Sequence, residues 1–312
     1  MRIVIIGAGM SGLACAQALE RMGHSVTLFD KGRGPGGRMS TRLVPLGETY
    51  IPFDHGAQFF TAHEARFRAQ VDRWHENGLV ARWPAAQGDA WVGTPAMNAP
   101  IADMAKAQDA HFSSHVMGLV REGVNWRVLL HDGGRHGPYD AAVLALPAEQ
   151  AAAFLGTYDL AMAACAIAAR SQPCWTAMIA FAEKLPIDTD VIRPSGPVGW
   201  AARNNAKPGR PSTEAWVVQA SAAWSTAHLE DDATQVAEYL ADWLVRQAGC
   251  DDMPARLHLS AHRWRYATTQ PAPQSALWNA DLRLGACGDW LLGPKIELAW
   301  LSGTRLAERI GT

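Results

Sequence analysis

The 312-residue chain lacks most of the features that fix a function class on their own. Its five cysteines, Cys15, Cys165, Cys174, Cys250 and Cys287, are scattered and include no C-x-x-C pair. A disulfide framework and a zinc cluster are therefore not expected, and reduced thiols of a cytoplasmic protein are. The 11 histidines show no H-E-x-x-H or comparable ligand spacing, so no metal site is expected either. Excess charge of one sign is also missing: 28 Lys and Arg against 30 Asp and Glu leave a net charge of -2. Nothing in that balance attracts nucleic acid or an anionic membrane. No uninterrupted apolar run reaches the roughly 18 residues that suggest a membrane span. The apolar start, Ile3 to Leu19, is broken by Gly7, Gly9 and Gly12 and is expected to be retained, not removed as a signal peptide. Internal repeats, catalytic triads and paired-carboxylate motifs are absent as well. Small-molecule chemistry is left, in a globular chain long enough for about two domains.

What is present begins at the N-terminus. Ile3-Val4-Ile5-Ile6 is a short apolar run suited to a buried parallel strand. Gly7, Gly9 and Gly12 follow it as G-x-G-x-x-G, with Met10 and Ser11 between the last two. In this context the first glycine permits a tight turn, the second admits a pyrophosphate, and the third lets the next helix pack on the strand. That helix carries Ala14, Ala16 and Ala18 and ends near Gly23. Val26 to Phe29 then reads as a second strand, and Asp30 at its end is placed to accept the hydroxyls of an adenosine ribose. Strand, glycines, helix, strand and acid in this order make a dinucleotide-binding unit. The bare segment Lys31 to Gly37 can run close under a cofactor, and Arg38 can set a guanidinium on its phosphates.

Further on, Phe53-Asp54-His55-Gly56-Ala57-Gln58 offers small residues and one amide able to reach a cofactor edge. Asn98 and Pro100 suggest the cap and first turn of a helix over 99–108. His115 to Val120 and Trp126 to Leu130 read as hairpin strands, and Ala142 to Leu146 as a buried parallel strand. Between about 157 and 267 tryptophan accumulates and separate strands are expected at Trp175 to Phe181 and Ala215 to Ala220, with an amphipathic helix over 232–247. The polar run Trp200 to Arg210 reads as a solvated loop. Near the end, Leu282 to Ala286, Cys287-Gly288-Asp289 and Ile296 to Ile310 read as strand, turn and helix, a second contact for the dinucleotide.

Taken together these residues resemble the bacterial renalase-like family, a branch of the FAD-dependent amine oxidase superfamily. The carriers are GAGMSG with FDKGRGPGGRMSTR, FDHGAQFFTA, WVGTPAMNA, WAARNNAKPGR, HRWRYA at His262 to Ala267, and CGDW with AWLSG near the end. The resemblance implies an α/β fold like that of hydroxybenzoate hydroxylase. A Rossmann-type FAD-binding domain (1–66, 101–155 and 268–312) would accompany an α+β substrate domain (67–100 and 156–267). It implies noncovalent FAD held by Gly7, Gly9, Met10, Ser11, Gly12, Asp30, Lys31, Gly37, Arg38, Met39, Gly56, Ala57, Gln58, Val116, Gly288, Asp289, Ile296 and Ala299. Gln58, Trp264, Arg265 and Tyr266 are the candidates for the substrate side of the flavin.

The implied reaction oxidises 2- or 6-dihydro isomers of NAD(P)H to NAD(P)+ by hydride transfer to flavin N5, with O2 as reoxidant and H2O2 as product. Such chemistry asks little acid-base work of side chains. The expected partners are thus a small molecule and O2, without nucleic acid or membrane, for a monomer or weak homodimer. Two alternatives stay open: a flavin oxidase or desaturase for another small molecule such as an amine, and a nonenzymatic flavin-binding protein. Leu298 is a departure, standing where family members often carry a small residue beside the isoalloxazine.

Overall fold

The computed structural model of the chain describes residues 1–250 and 252–312. Its centre is the strand Arg2–Ile6, whose residues Ile3, Val4, Ile5 and Ile6 are all buried. They have to be, because both faces of this strand are covered. Ile3 and Ile5 join one core and Val4 and Ile6 join another on the opposite face. Parallel neighbours Ser25–Phe29 and Ala141–Leu144 flank it. The complete sheet has six strands in the order Leu277–Asn279, Leu284–Ala286, Ala141–Leu144, Arg2–Ile6, Ser25–Phe29, Asp109–His111. Every pairing in it is parallel except the outermost, between Leu277–Asn279 and Leu284–Ala286. One face carries the helices Met10–Arg21 and Ile296–Gly311. The other carries the meander Val116–Glu122, Asn125–Leu130, Arg135–Tyr139 and the helices Ala148–Leu155 and Leu160–Ala168.

The tryptophan-rich middle builds a second, antiparallel sheet of five strands. Their order is Val191–Ile192, Val198–Arg203, Ala215–Ala220, Ser171–Phe181, Arg256–Thr269. Trp175, Ala177, Ile179 and Phe181 point to the face covered by the helix Ala233–Gln247. Met178, Ala180 and Val217 point the other way, against the hairpin Arg42–Leu46 and Thr49–Phe53. That second face looks toward the nucleotide-binding unit. No helix among the described residues is long and apolar enough to cross a membrane.

Two expectations need correction. The helix Ala65–Glu76 packs with the first sheet's core, its Phe67 ring 5.6 Å from Trp300 on the last helix. Only later residues of the 67–100 segment, such as Trp83 and Val92, join the second sheet through Val191 and Ala202. A boundary at residue 67 therefore cuts through a packed helix. Asn98 does precede a helix, Ala99–Lys106, but its side chain makes no capping hydrogen bond, and Pro100 supplies the start.

The two helices on the nucleotide side meet at Gly303, in the segment AWLSG. A β-carbon there would lie 2.1 Å from the Ser11 carbonyl oxygen, while Ser302 Oγ accepts the Gly288 amide at 3.0 Å. Small residues here let the last helix dock on the first. Gly303→Val is expected to lower stability by at least about 1–3 kcal/mol, the usual range for overpacking. Denaturant unfolding checks this, and an unchanged midpoint would contradict the crossing described.

Candidate functional site

The glycines behave as their spacing demands. Gly7 has a φ of +106°, and a β-carbon there would meet the Ala145 carbonyl at 2.4 Å. At Gly12 a β-carbon would fall 2.0 Å from the Gly7 oxygen, so strand and helix pack backbone to backbone. At Gly9 nothing lies within 4 Å, which leaves open space beside the helix start. The helix Met10–Arg21 has no side-chain cap and no acidic residue in its first turn, so its N–H groups and positive dipole end are available to an anion. Met10 and Ser11 are buried in that turn. Asp30 accepts the Ala8 amide at 2.7 Å on one oxygen and the Gly32 amide at 2.6 Å on the other. Each oxygen keeps lone-pair capacity for a hydroxyl. Lys31 is exposed, and Val116 buries its side chain at the start of the meander, beside the segment whose Ser114 amide binds the Asp30 carbonyl at 2.9 Å.

The far end of the chain completes this cradle. The Arg38 guanidinium reaches Asp289 Oδ1 at 2.5 Å and the Ala267 carbonyl at 3.1 Å. Gly37 and Met39 form a single 3-10 turn around it, with Gly37 at a φ of +51°. The loop at Gly56 and Ala57 lies against the same backbone. Ala57 donates to the Arg38 carbonyl at 2.9 Å, and a β-carbon on Gly56 would lie 2.1 Å from that oxygen. Ile296 and Ala299 are half-buried in the first turn of the last helix. Its Glu297, missed in the sequence, is buried and accepts the His63 and Glu64 amides at 2.7 and 2.6 Å. Leu298 leans on the neighbouring turn, its Cδ1 3.0 Å from where a Gly293 β-carbon would be.

Behind the loop lies a buried ion cluster that has no signature in the local sequence. Far from being a solvated loop, Trp200 to Arg210 includes Lys207 and Arg210 side chains that are 0% and 1% exposed. Asp54, also fully buried, accepts Lys207 Nζ at 3.3 Å, Arg210 Nη2 at 2.6 Å, Thr41 Oγ1 at 2.9 Å and the Met97 amide at 2.9 Å. Burial alone would raise the Asp54 carboxyl. The charges of Lys207 and Arg210, with the hydrogen bonds, override it and hold Asp54 at about 2. Burial pushes Lys207 down to about 8 against the pull of Asp54.

Gln58 belongs to this cluster and not to a cofactor edge. Its Nε2 donates to the Asp54 and Gly56 carbonyls at 2.5 and 3.1 Å, and its Oε1 accepts Lys207 Nζ at 3.1 Å. Both donors and an acceptor site of the amide are spent on shaping the loop.

On the sheet, strand alternation separates the HRWRYA candidates. Trp264 turns to the loop, where its indole N–H donates to the His55 carbonyl at 2.8 Å. Arg265 emerges on the opposite side and pairs with the exposed Glu230 through both terminal nitrogens, at 2.7 and 2.9 Å. The structure does not bring Arg265 to the side of the sheet that Trp264 occupies. Tyr266 is half-buried where the strand register slips, between Trp264 and Thr268. His262 and His55 are the residues that join Trp264: the two imidazoles are 5.1 Å apart, and Trp264 lies 5.1 Å from His55 and 4.5 Å from His262. Burial, then the charges of His262 and Arg42, lowers His55 to about 4; burial and Arg42 do the same for His262. Both rings are neutral at pH 7. The signal for His262 was its spacing of two from Trp264.

Residues 5–74 match the family of NAD(P)-binding Rossmann-like domains. Over 195 residues, 46% of the chain, the protein is 27% identical to the tRNA 5-methylaminomethyl-2-thiouridine biosynthesis bifunctional protein MnmC of Magnetococcus marinus, covering 29% of that protein. Over 40 residues, 13% of the chain, it is 50% identical to the 4,4'-diapophytoene desaturase of Staphylococcus aureus, covering 8% of it. The alignments thus span under a third of either relative. Among solved structures, cyclohexylamine oxidase from Brevibacterium oxydans superposes with a TM-score of 0.74 at 12% identity, over 99% of this chain and 98% of that one. The two share a fold.

Lys207→Met would strip one cation from the Asp54 cluster. A loss of about 3 kcal/mol is expected, in the range for breaking a buried pair, measured by urea unfolding. The depressed Asp54 carboxyl contributes stability that is fully present above its ordinary value of 3.8 and is lost as pH falls through about 2. Acid unfolding of the native protein should show that component between these values, and Asp54→Asn should lack it.

Proposed function

We propose that the protein is an FAD-dependent oxidoreductase of the renalase-like kind, oxidising 2- or 6-dihydro isomers of NAD(P)H. The observation that carries this reading is the contact of Arg38 with Asp289 beside the open Gly9 turn. Two distant segments assigned to one dinucleotide meet there, under a sheet that presents Trp264 and two neutral imidazoles. The cradle fits such a cofactor, since the uncapped helix start suits a pyrophosphate and Asp30 retains acceptor capacity for a ribose. When bound, the flavin supplies the hydride acceptor and the reactivity with O2.

In this reading the chain binds and orients. Gly7, Gly9, Met10, Ser11 and Gly12 would bind the phosphates, and Arg38 and Asp289 would hold the cofactor's middle. Gly56 and Ala57, fixed from behind by Gln58 and Lys207, would hold the flavin together with Ile296 and Ala299. Trp264 and Tyr266 close the substrate side, where stacking surfaces position a flat ring and exclude water. We assign the first sheet with its helices, including Ala65–Glu76, to the cofactor and the second sheet to the substrate. A second reading, oxidation of a small amine, is favoured by the fold shared with cyclohexylamine oxidase and by the leucine at position 298.

The purified protein is expected to be yellow, and anaerobic mixing with the 2- or 6-dihydro isomers should bleach it while ordinary NAD(P)H does not. Bleaching by amines alone would replace the first reading with the second, and a colourless protein that takes up no FAD would end both. Arg38→Ala should weaken FAD retention by about tenfold, the worth of one charge-assisted hydrogen bond, as read from flavin-to-protein absorbance after dialysis. Undiminished flavin content would remove Arg38 from the site.

A further inference from the structure

Three imidazoles and the Arg42 guanidinium line one strip of the second sheet, its covering hairpin and the loop that follows it. His258, Ser260, His262 and Trp264 fall at alternate positions of the strand Arg256–Thr269 and share its cleft-side face. His258 Nε2 lies 2.7 Å from Ser260 Oγ, and the Phe53 ring lies 5.7 Å from the His258 ring. Arg42 stands directly opposite Phe53 in the hairpin. Cross-strand partners leave a sheet on the same side, so Arg42 projects over His258. Its guanidinium is exposed and makes no salt bridge or side-chain hydrogen bond among the described residues. Its charge depresses the pKa values of His55, His258 and His262, so it acts on all three rings.

At the deep end, His55 is 4% exposed and its Nδ1 has no hydrogen-bond partner among the described residues. A buried imidazole nitrogen left unpaired is costly, and a ligand atom that meets it recovers the loss. We infer that this strip receives the phosphate-bearing arm of the substrate, with the ring at Trp264 and His55 and the phosphate at Arg42 and His258. The inference rests on the reading of the cleft as a substrate site beside a flavin, and it separates the two substrate classes left open there. The six residue steps of strand from His258 to Trp264 span about 20 Å, which suits a nucleotide better than a short amine. A protonated alkylamine gains nothing from Arg42, whereas a phosphate pairs with it bidentately.

Calorimetric titration of the flavin-loaded protein with nicotinamide mononucleotide and with phosphate-free nicotinamide riboside tests this directly. The mononucleotide should bind about tenfold more tightly at low salt, as one charge-assisted contact provides. Arg42→Gln should abolish most of that difference and leave riboside affinity unchanged. His258→Gln, with an unaltered melting profile, should reduce it in part. In NMR spectra the ring protons of His258 should shift with the mononucleotide and not with the riboside. Equal affinities in the native protein, or a difference that survives Arg42→Gln, would overturn the inference alone if the protein is yellow and bleachable. Absence of flavin would overturn the functional reading and this inference with it.

Discussion

Asp54 has no exposed surface, and donors from four separated positions converge on its two oxygens: Thr41, Met97, Lys207 and Arg210. An isolated carboxylate could not be buried this way, since its desolvation would cost more than folding can supply. With two cations and two further donors it becomes a knot that ties the hairpin, the 94–98 turn and the 204–210 turn to one loop. Lys207 extends the knot to Gln58, and Gln58 fixes the carbonyls of Asp54 and Gly56. The shape of Gly56-Ala57, against the backbone of Arg38, thus depends on charges that never face the cleft.

The two layers face each other across a few polar contacts. One wall is the nucleotide unit, where strand and helix meet so tightly that Gly12 has no room for a β-carbon. The opposite wall is the second sheet, joined to the first by Trp264 on the His55 carbonyl, Gln219 on the Gly56 carbonyl at 2.8 Å, and Arg38 on the Ala267 carbonyl. These contacts are polar and go to main-chain atoms.

Much of the first wall was legible because its signals are local. A β-branched run, three glycines at fixed spacing and an acid after the next strand each act within a few residues, so order along the chain suffices. The alternation of His262, Arg263, Trp264 and Arg265 was legible in the same way, since a period of two divides a strand into faces. Within HRWRYA that period sets Arg265 on the face opposite Trp264, where Glu230 holds it.

By itself the sequence determined four strands of the first sheet, at Ile3 to Ile6, Val26 to Phe29, Ala142 to Leu146 and Leu282 to Ala286, and the glycine turn between the first strand and its helix. These follow from the sterics of the backbone and from apolar periodicity, which neighbouring residues settle among themselves. Only the tertiary structure decided which charges are buried. Lys207 in a Pro-Gly loop has the local character of a solvated lysine, and it is fully buried only because Asp54, 153 residues away, needs a counter-charge. Electrostatic pairing in a desolvated interior depends on what lies across space, and no spacing along the chain encodes it.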